Sequence, residues 1–289
     1  MVIDSHFHLA TDIASIRETL DGMDRHGISK TALIAPICDP IKEPPKGLLA
    51  LMQFGLQRSL TRHLVKPFMD RFTETGDVIL PGGAVGITPD PDNDALFEAV
   101  DAHPDRFMGW AFVNPHGMRP PLEEYARWEE HPGCIGAKAH PFWHRYPPIA
   151  LASVAARLEK RGKPLLVHLG FGRHGKLAPL LDAFPRLKVV LAHAGIPYYQ
   201  SFWKRFKETP NLYFDLSAHA FVSPAIMEGV VNAVGPERCF FGTDGPYGPE
   251  DEDGRFNHGL MLKMLRTTFP DKGVQALLLG ESFQRMLFS

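Results

Sequence analysis

Four segments of this chain end in a metal-ligating side chain where an apolar, β-branched run gives way to Gly or a loop. They are VIDSHFH (Val2 to His8), PLLVHLG (Pro164 to Gly170), KVVLAHAG (Lys188 to Gly195) and CFFGTDG (Cys239 to Gly245). His6 and His8 are one residue apart, so on a strand both imidazoles share a face. Neutral imidazole binds zinc at about 2.0–2.1 Å, and two on one strand can converge on one ion. His168 ends the second segment and, beside the His6/His8 pair, reads as a further ligand. A lone buried carboxylate is costly unless it is paired or bound to a cation. Asp244 is therefore the natural fourth ligand, with a second oxygen able to take a proton from water. His193 either ligates or stands free as an acid, base or carbonyl polariser; for a one-metal site we favour the free role. Asp4 lies one layer below His6. It either orients a ligand from behind or satisfies backbone groups of the strands.

Further polar groups follow the same alternation. Lys138 and His140 share a face in GAKAHP. Lys138 reads as a cation for the substrate, a partner for a buried acid, or a carbamylated bridge between two metals. His140 either touches substrate or caps its strand. Arg145 and Arg173 follow two of the runs, and a guanidinium matches a carboxylate bidentately. Asp215, Ser217 and His219 alternate on one face, where they line a cavity or serve the structure. Cys38 has no base near it in the sequence and reads as a small apolar residue.

Elements must bring these positions together. Eight apolar runs, near residues 2–8, 30–37, 107–113, 134–140, 164–169, 188–193, 212–217 and 239–243, read as strands, each followed by a segment of helical spacing. Ile13, Ile16, Leu20 and Met23 recur at three and four, and Gly27 is placed to stop that helix. The segment Val274 to Phe288 reads as a last helix on the bottom or side of the sheet. Strand runs this continuously apolar fit a parallel sheet buried on both faces. An open, doubly wound sheet would place its ligand at one switch point. Closure instead makes the first and eighth strands neighbours. The expected fold is thus α/β, a parallel (β/α)8 barrel, a single domain over 1–289 with a cap-like insertion, residues 38–104, after strand two. The stretch Leu48 to Phe72 within it reads as helical.

Size and composition agree. The 289 residues are 44% hydrophobic and 22% charged, and such a barrel takes about 250 residues. A net charge of -2 with scattered basic residues argues against a nucleic-acid or membrane partner. No apolar run approaches about 18 residues, and a strand directly after Met1 leaves no room for a signal peptide. Three widely spaced cysteines, Cys38, Cys134 and Cys239, fit a reduced, cytoplasmic compartment. The expected partners are a small-molecule substrate and, at most, a second copy in a homodimer.

His6-x-His8, His168, His193 and Asp244, with VIDSHFHL, RFMGWAFVNP, GAKAHP, LAHAG, LYFDLSAH and CFFGTDGP around them, resemble the amidohydrolase superfamily. The nearest likeness is to its amidohydrolase-related branch, the relatives of aminocarboxymuconate semialdehyde decarboxylase. The resemblance spans nearly the whole chain outside 38–104. It implies a distorted (β/α)8 barrel and one divalent metal ion, zinc first and manganese second, with a second metal left open. It implies metal ligands at His6, His8, His168 and Asp244 and a catalytic His193. Lys138, His140, Arg145 and Arg173 are the expected substrate contacts. The expected activity is hydrolysis of a small carboxylate-bearing lactone, amide or related bond by activated water. Non-oxidative decarboxylation of an unsaturated or aromatic acid is the alternative, and a barrel that binds without turnover is the third reading.

Overall fold

The computed structural model describes residues 1–41, 46–57, 61–80 and 83–288. Eight strands form one parallel sheet: β1 (Ile3–His8), β2 (Lys30–Ile34), β5 (Phe107–Phe112), β6 (Cys134–Ala139), β7 (Leu165–Val167), β8 (Val189–Leu191), β9 (Leu212–Asp215) and β10 (Cys239–Phe240), hydrogen-bonded in that order. The remaining two, β3 (Val78–Leu80) and β4 (Gly83–Val85), form a small antiparallel hairpin. The last barrel strand returns to the first. Ser5 N–H donates to Phe241 O at 3.0 Å, Asp244 N–H donates to His6 O at 2.8 Å, and Phe7 bridges Gly245 in parallel. The expected (β/α)8 barrel is the fold.

The helices form where the apolar spacing puts them. Helix Ile16–His26 opens with a capping box between Ser15 and Glu18 and stops at Gly27, whose φ of 67° is left-handed. The strands bearing chemistry are shorter than their apolar runs. The run at 188–193 pairs only over Val189–Leu191, because His193 and Ala194 turn to φ 53° and 55°. Asp244 likewise sits at φ 63°. Positive φ in non-glycine residues is strained and persists where the surroundings over-determine it; here it ends the ladder and swings the side chains toward the axis. The C-terminal segment is helical in two pieces, Lys272–Ala276 and Ser282–Phe288, joined by a wider π turn at Leu277–Glu281. Phe283 packs on Trp110 and Phe240, and Leu278 O accepts from Phe241 N–H at 2.8 Å. The segment therefore floors the barrel at the end away from His6 and His8.

Residues 38–104 hold helix Lys46–Gln57, helix Arg62–Met69, the β3–β4 hairpin and helix Asn93–Ala102. The last of these packs on β5. The helical reading of Leu48 to Phe72 therefore covers two helices, and Phe72 itself bridges Val78; residues 58–60 between them lie outside the described ones. The two helices and their flanks cross the C-terminal loops of the barrel. Gln53 Nε2 donates to His219 O and Ala220 O at 3.0 Å, Arg62 Nη2 to Tyr198 O at 3.0 Å, and Arg145 lies 4.3 Å over the Phe72 ring. Among the described residues no helix is long and apolar enough to cross a membrane.

On the outer side of β1, Phe7 stacks on His258 at 5.5 Å and 7°. Burial first, then the charges of His26 and Arg25, lowers His258 to about 4. The unfolded chain, with an ordinary value near 6.5, takes up a proton that the fold rejects. Stability is then fully present above pH 6.5 and is lost as pH falls toward 4. His258→Phe should remove about 2 kcal/mol of the difference in urea stability between pH 7 and pH 5. An unchanged pH dependence in that variant would contradict this role for His258.

Candidate metal centre

β1 carries Asp4, His6 and His8 on its inner face, all buried. His6 Nε2 lies 3.2 Å and His8 Nε2 3.5 Å from Asp244 Oδ1. The ligand atoms of His6, His8 and Asp244 lie within 4.8 Å of one another, as do those of His6, His193 and Asp215. His193 Nε2 is 3.8 Å from the other oxygen of Asp244, Oδ2.

The protons on these rings follow from one carboxylate. His6 Nδ1 is 3.0 Å from Asp215 Oδ2. Ser217 Oγ–H donates to Asp215 Oδ1 in a short hydrogen bond. That uses the hydroxyl proton, so His193 Nδ1, 2.8 Å from Ser217 Oγ, must donate to the oxygen lone pair. Both imidazoles therefore carry their proton on Nδ1 and present a bare Nε2 toward Asp244. His193 N–H and Ser217 N–H also donate to Asp215 Oδ1, at 3.0 Å each. Burial opposes ionisation of Asp215, but His6, His193 and Ser217 outweigh it and hold the carboxyl well below its usual range.

This arrangement fits a bound cation. The His6 Nε2 lone pair faces Asp244 Oδ1 at 3.2 Å, and two acceptors at that distance need positive charge between or beside them. One cation is already there: Lys138 Nζ stands 3.4 Å from His6 Nε2. Burial lowers Lys138 to about 8 although Asp215 and Asp244 oppose it. Burial pushes Asp244 upward, and positive charge on the facing rings of His193, His6 and His8 is what would hold its carboxyl well below the usual range. Burial lowers His8 against the pull of Asp244 and brings His193 to about 4. Burial, reinforced by neighbouring cations, takes His140 and His168 well below the usual histidine value. Neutral imidazole is the ligating form.

His168 lies with its ring 4.8 Å from His193 and 4.2 Å from His140. His140 Nδ1 accepts from Trp143 N–H at 3.1 Å, and its ring stacks on Trp143. Asp4 satisfies backbone groups of the strands, one of the two roles that its position suggested. Oδ1 accepts from His6 N–H at 3.2 Å and Thr243 N–H at 3.0 Å, and Oδ2 from Thr243 Oγ1 at 2.6 Å. It thereby ties β1 to the residue before Asp244, while burial raises it to about 7. The two expected carboxylate clamps have partners elsewhere. Arg145 is exposed and pairs with Asp70 at 3.6 Å, and Arg173 is exposed and donates to His174. Asp215 and Ser217, which the sequence left between a lining and a structural role, proved central. Their signal was a buried acid on the inward face of LYFDLSAH.

Three solved structures show how widely this fold is shared. The chain is similar to 5-carboxyvanillate decarboxylase LigW from Sphingomonas paucimobilis (17% identity, 99% of this chain and 98% of that one, TM-score 0.60). It is similar to a probable 2-pyrone-4,6-dicarboxylic acid hydrolase from Acinetobacter baumannii (15%, 100% and 99%, TM-score 0.61). It is also similar to a dihydroxybenzoic acid decarboxylase from Polaromonas that holds manganese and 2-nitroresorcinol (17%, 99% and 96%, TM-score 0.58). Identities this low establish the fold alone. No curated protein sequence matches the chain. The Amidohydrolase family model matches residues 3–285, and with nearly the whole barrel included in that match, the chain belongs to the amidohydrolase family.

Proposed function

We propose that this chain is a metal-dependent hydrolase of a small, carboxylate-bearing substrate, a lactone, amide or related ester. The observation that carries this reading is the divided carboxylate of Asp244. One oxygen lies against His6 and His8 while the other faces His193. His6, His8, His168 and Asp244 would hold one divalent ion, zinc first and manganese second. When bound, such an ion supplies Lewis acidity toward a carbonyl oxygen and toward water.

The chain's own groups then divide the work. Asp244 Oδ2 takes the proton of the attacking water and returns it to the leaving group. His193 is neutral at pH 7 with Nε2 bare, so it accepts a proton from the same water or relays one from Asp244. The carbonyl-polarising role that the sequence suggested for His193 would need a proton on Nε2, and Lys138 Nζ is the better donor for that charge. The insertion acts as a cap that excludes water from the mouth. Three buried, free cysteines support a reducing, cytoplasmic setting.

A second reading, loss of CO2 from an unsaturated or aromatic acid, has its own support. Two of the structures named above are decarboxylases, and Phe142 and Phe221 flank His168 at 6.0 and 6.5 Å. In that case Asp244 Oδ2 or His193 Nε2 first takes a proton from a water in the site and hands it to the carbon that loses CO2, the water's hydroxide remaining behind. Ring-opening assays with lactones and amides, run beside CO2 capture from benzoic and muconic acids, separate the two. CO2 evolution without hydrolysis of any member of the first group would refute the hydrolase.

Chelation of the metal should abolish turnover and its return should restore it. His6→Ala and Asp244→Ala should each lose the ion in elemental analysis, and Asp244→Asn should lower kcat by at least about 10³-fold. Turnover that survives metal removal would end this reading. Asp215→Asn retains the shape but can present an N–H to His6 Nδ1 in place of Oδ2, which reverses the tautomer of that ring. It should lower kcat by about 10²–10⁴-fold while the fold, read by circular dichroism, stays intact.

A further inference from the structure

Away from the metal centre, the seam between the insertion and the loops after β6, β7 and β8 contains buried donors with no acceptor. Arg173 Nε lies 3.0 Å from His174 Nε2. A guanidinium only donates, so Nε2 is the acceptor and the ring proton of neutral His174 is on Nδ1. His174 is 5% exposed, and its Nδ1 is buried with no hydrogen-bond partner among the described residues. Arg62, on the insertion helix, supplies a second such group. Its Nη2 donates to Tyr198 O at 3.0 Å and its guanidinium lies 5.4 Å over the Tyr198 ring, while Nε is buried and unpartnered among the described residues. The chain beside His174 also meets Tyr198: a Cβ on Gly175 would collide with that ring.

The charge around them is positive. Arg145, Arg173 and Lys66 act on His174 against the carboxylate of Asp70, which already stands 3.6 Å from Arg145 and 3.7 Å from Lys66. A buried N–H without an acceptor is costly and uncommon. Two of them beside surplus cations describe a place shaped for an oxyanion. An aromatic path leads from there to the centre. Phe142 lies 6.0 Å from His168 and 6.2 Å from Phe72, and Arg145 covers Phe72 at 4.3 Å.

We propose that this seam is an anion site that takes a carboxylate of the substrate remote from the reacting bond, with His174 Nδ1–H and Arg62 Nε–H as its donors. Arg145 and Arg173 then act through charge from the rim rather than as direct clamps at the metal. The proposal rests on the reading of the centre as that of an enzyme for carboxylate-bearing substrates, and adds to it where the second charge is held.

The test is calorimetric titration of the metal-loaded protein with isophthalate and with benzoate, which differ by one carboxylate. Isophthalate should bind at least tenfold more tightly. His174→Leu and Arg62→Gln should each weaken isophthalate at least tenfold and leave benzoate within about twofold. His174→Leu removes an unpartnered buried donor, so its Tm should equal or exceed that of the native protein. Equal binding of the two acids overturns the proposal, as does isophthalate affinity unchanged in the variants. A His174→Leu protein that melts lower leaves the decision to Arg62→Gln, where retained tight binding overturns it alone. Because binding is read without turnover, failure here is distinct from failure of the enzymatic reading, which would show as activity surviving metal removal.

Discussion

The centre depends on Asp215 being ionised, buried and placed between two imidazoles. Through Oδ2 it holds the His6 proton on Nδ1, and through Ser217 it does the same for His193. A neutral imidazole has one lone pair to offer, and its direction decides whether the ring can ligate or accept. With Asp215 in place both lone pairs face Asp244. The burial that makes this carboxylate costly also leaves its field unscreened. The donors around it outweigh that cost: the His6 ring, the Ser217 hydroxyl and the backbone N–H groups of His193 and Ser217.

The barrel supplies the positions and pays in backbone strain. β1 and the loop leaving β10 meet at their C-terminal ends, and Asp4 fastens them by holding Thr243 and the His6 backbone together. His193 and Asp244 occupy left-handed backbone, which L-residues adopt reluctantly. Each leaves its strand at that point, so the strain is what converts a sheet edge into converging side chains.

Much of this was legible in the residues. The eight barrel strands announce themselves by β-branched runs, and the first helix by its spacing and Gly27. His6, His8, His193 and Asp244 stand out because a polar side chain at the end of an apolar run is costly there unless it binds or pairs. What the sequence withheld has a common physical cause: it depends on partners distant in the chain. Asp215 looks like any inward acid until His6, 209 residues away, meets it. Arg145 and Arg173 look unpartnered in the sequence, and only the fold sets Asp70 and the His174 ring beside them. The insertion lacks the alternation that marks the barrel, so its three helices and hairpin were visible only as one helical stretch, Leu48 to Phe72.

The join between β1 and β10 also has a consequence for how the protein matures. A ribosome delivers His6 and His8 first and Asp244 only some 240 residues later, at about 5–20 residues per second. Throughout that interval the nascent chain exposes the histidine pair without Asp244 beside it, and nothing in such a pair selects one transition metal over another. Discrimination between ions therefore belongs to the finished cylinder, and an ion taken up there would rivet β1 to the loop leaving β10.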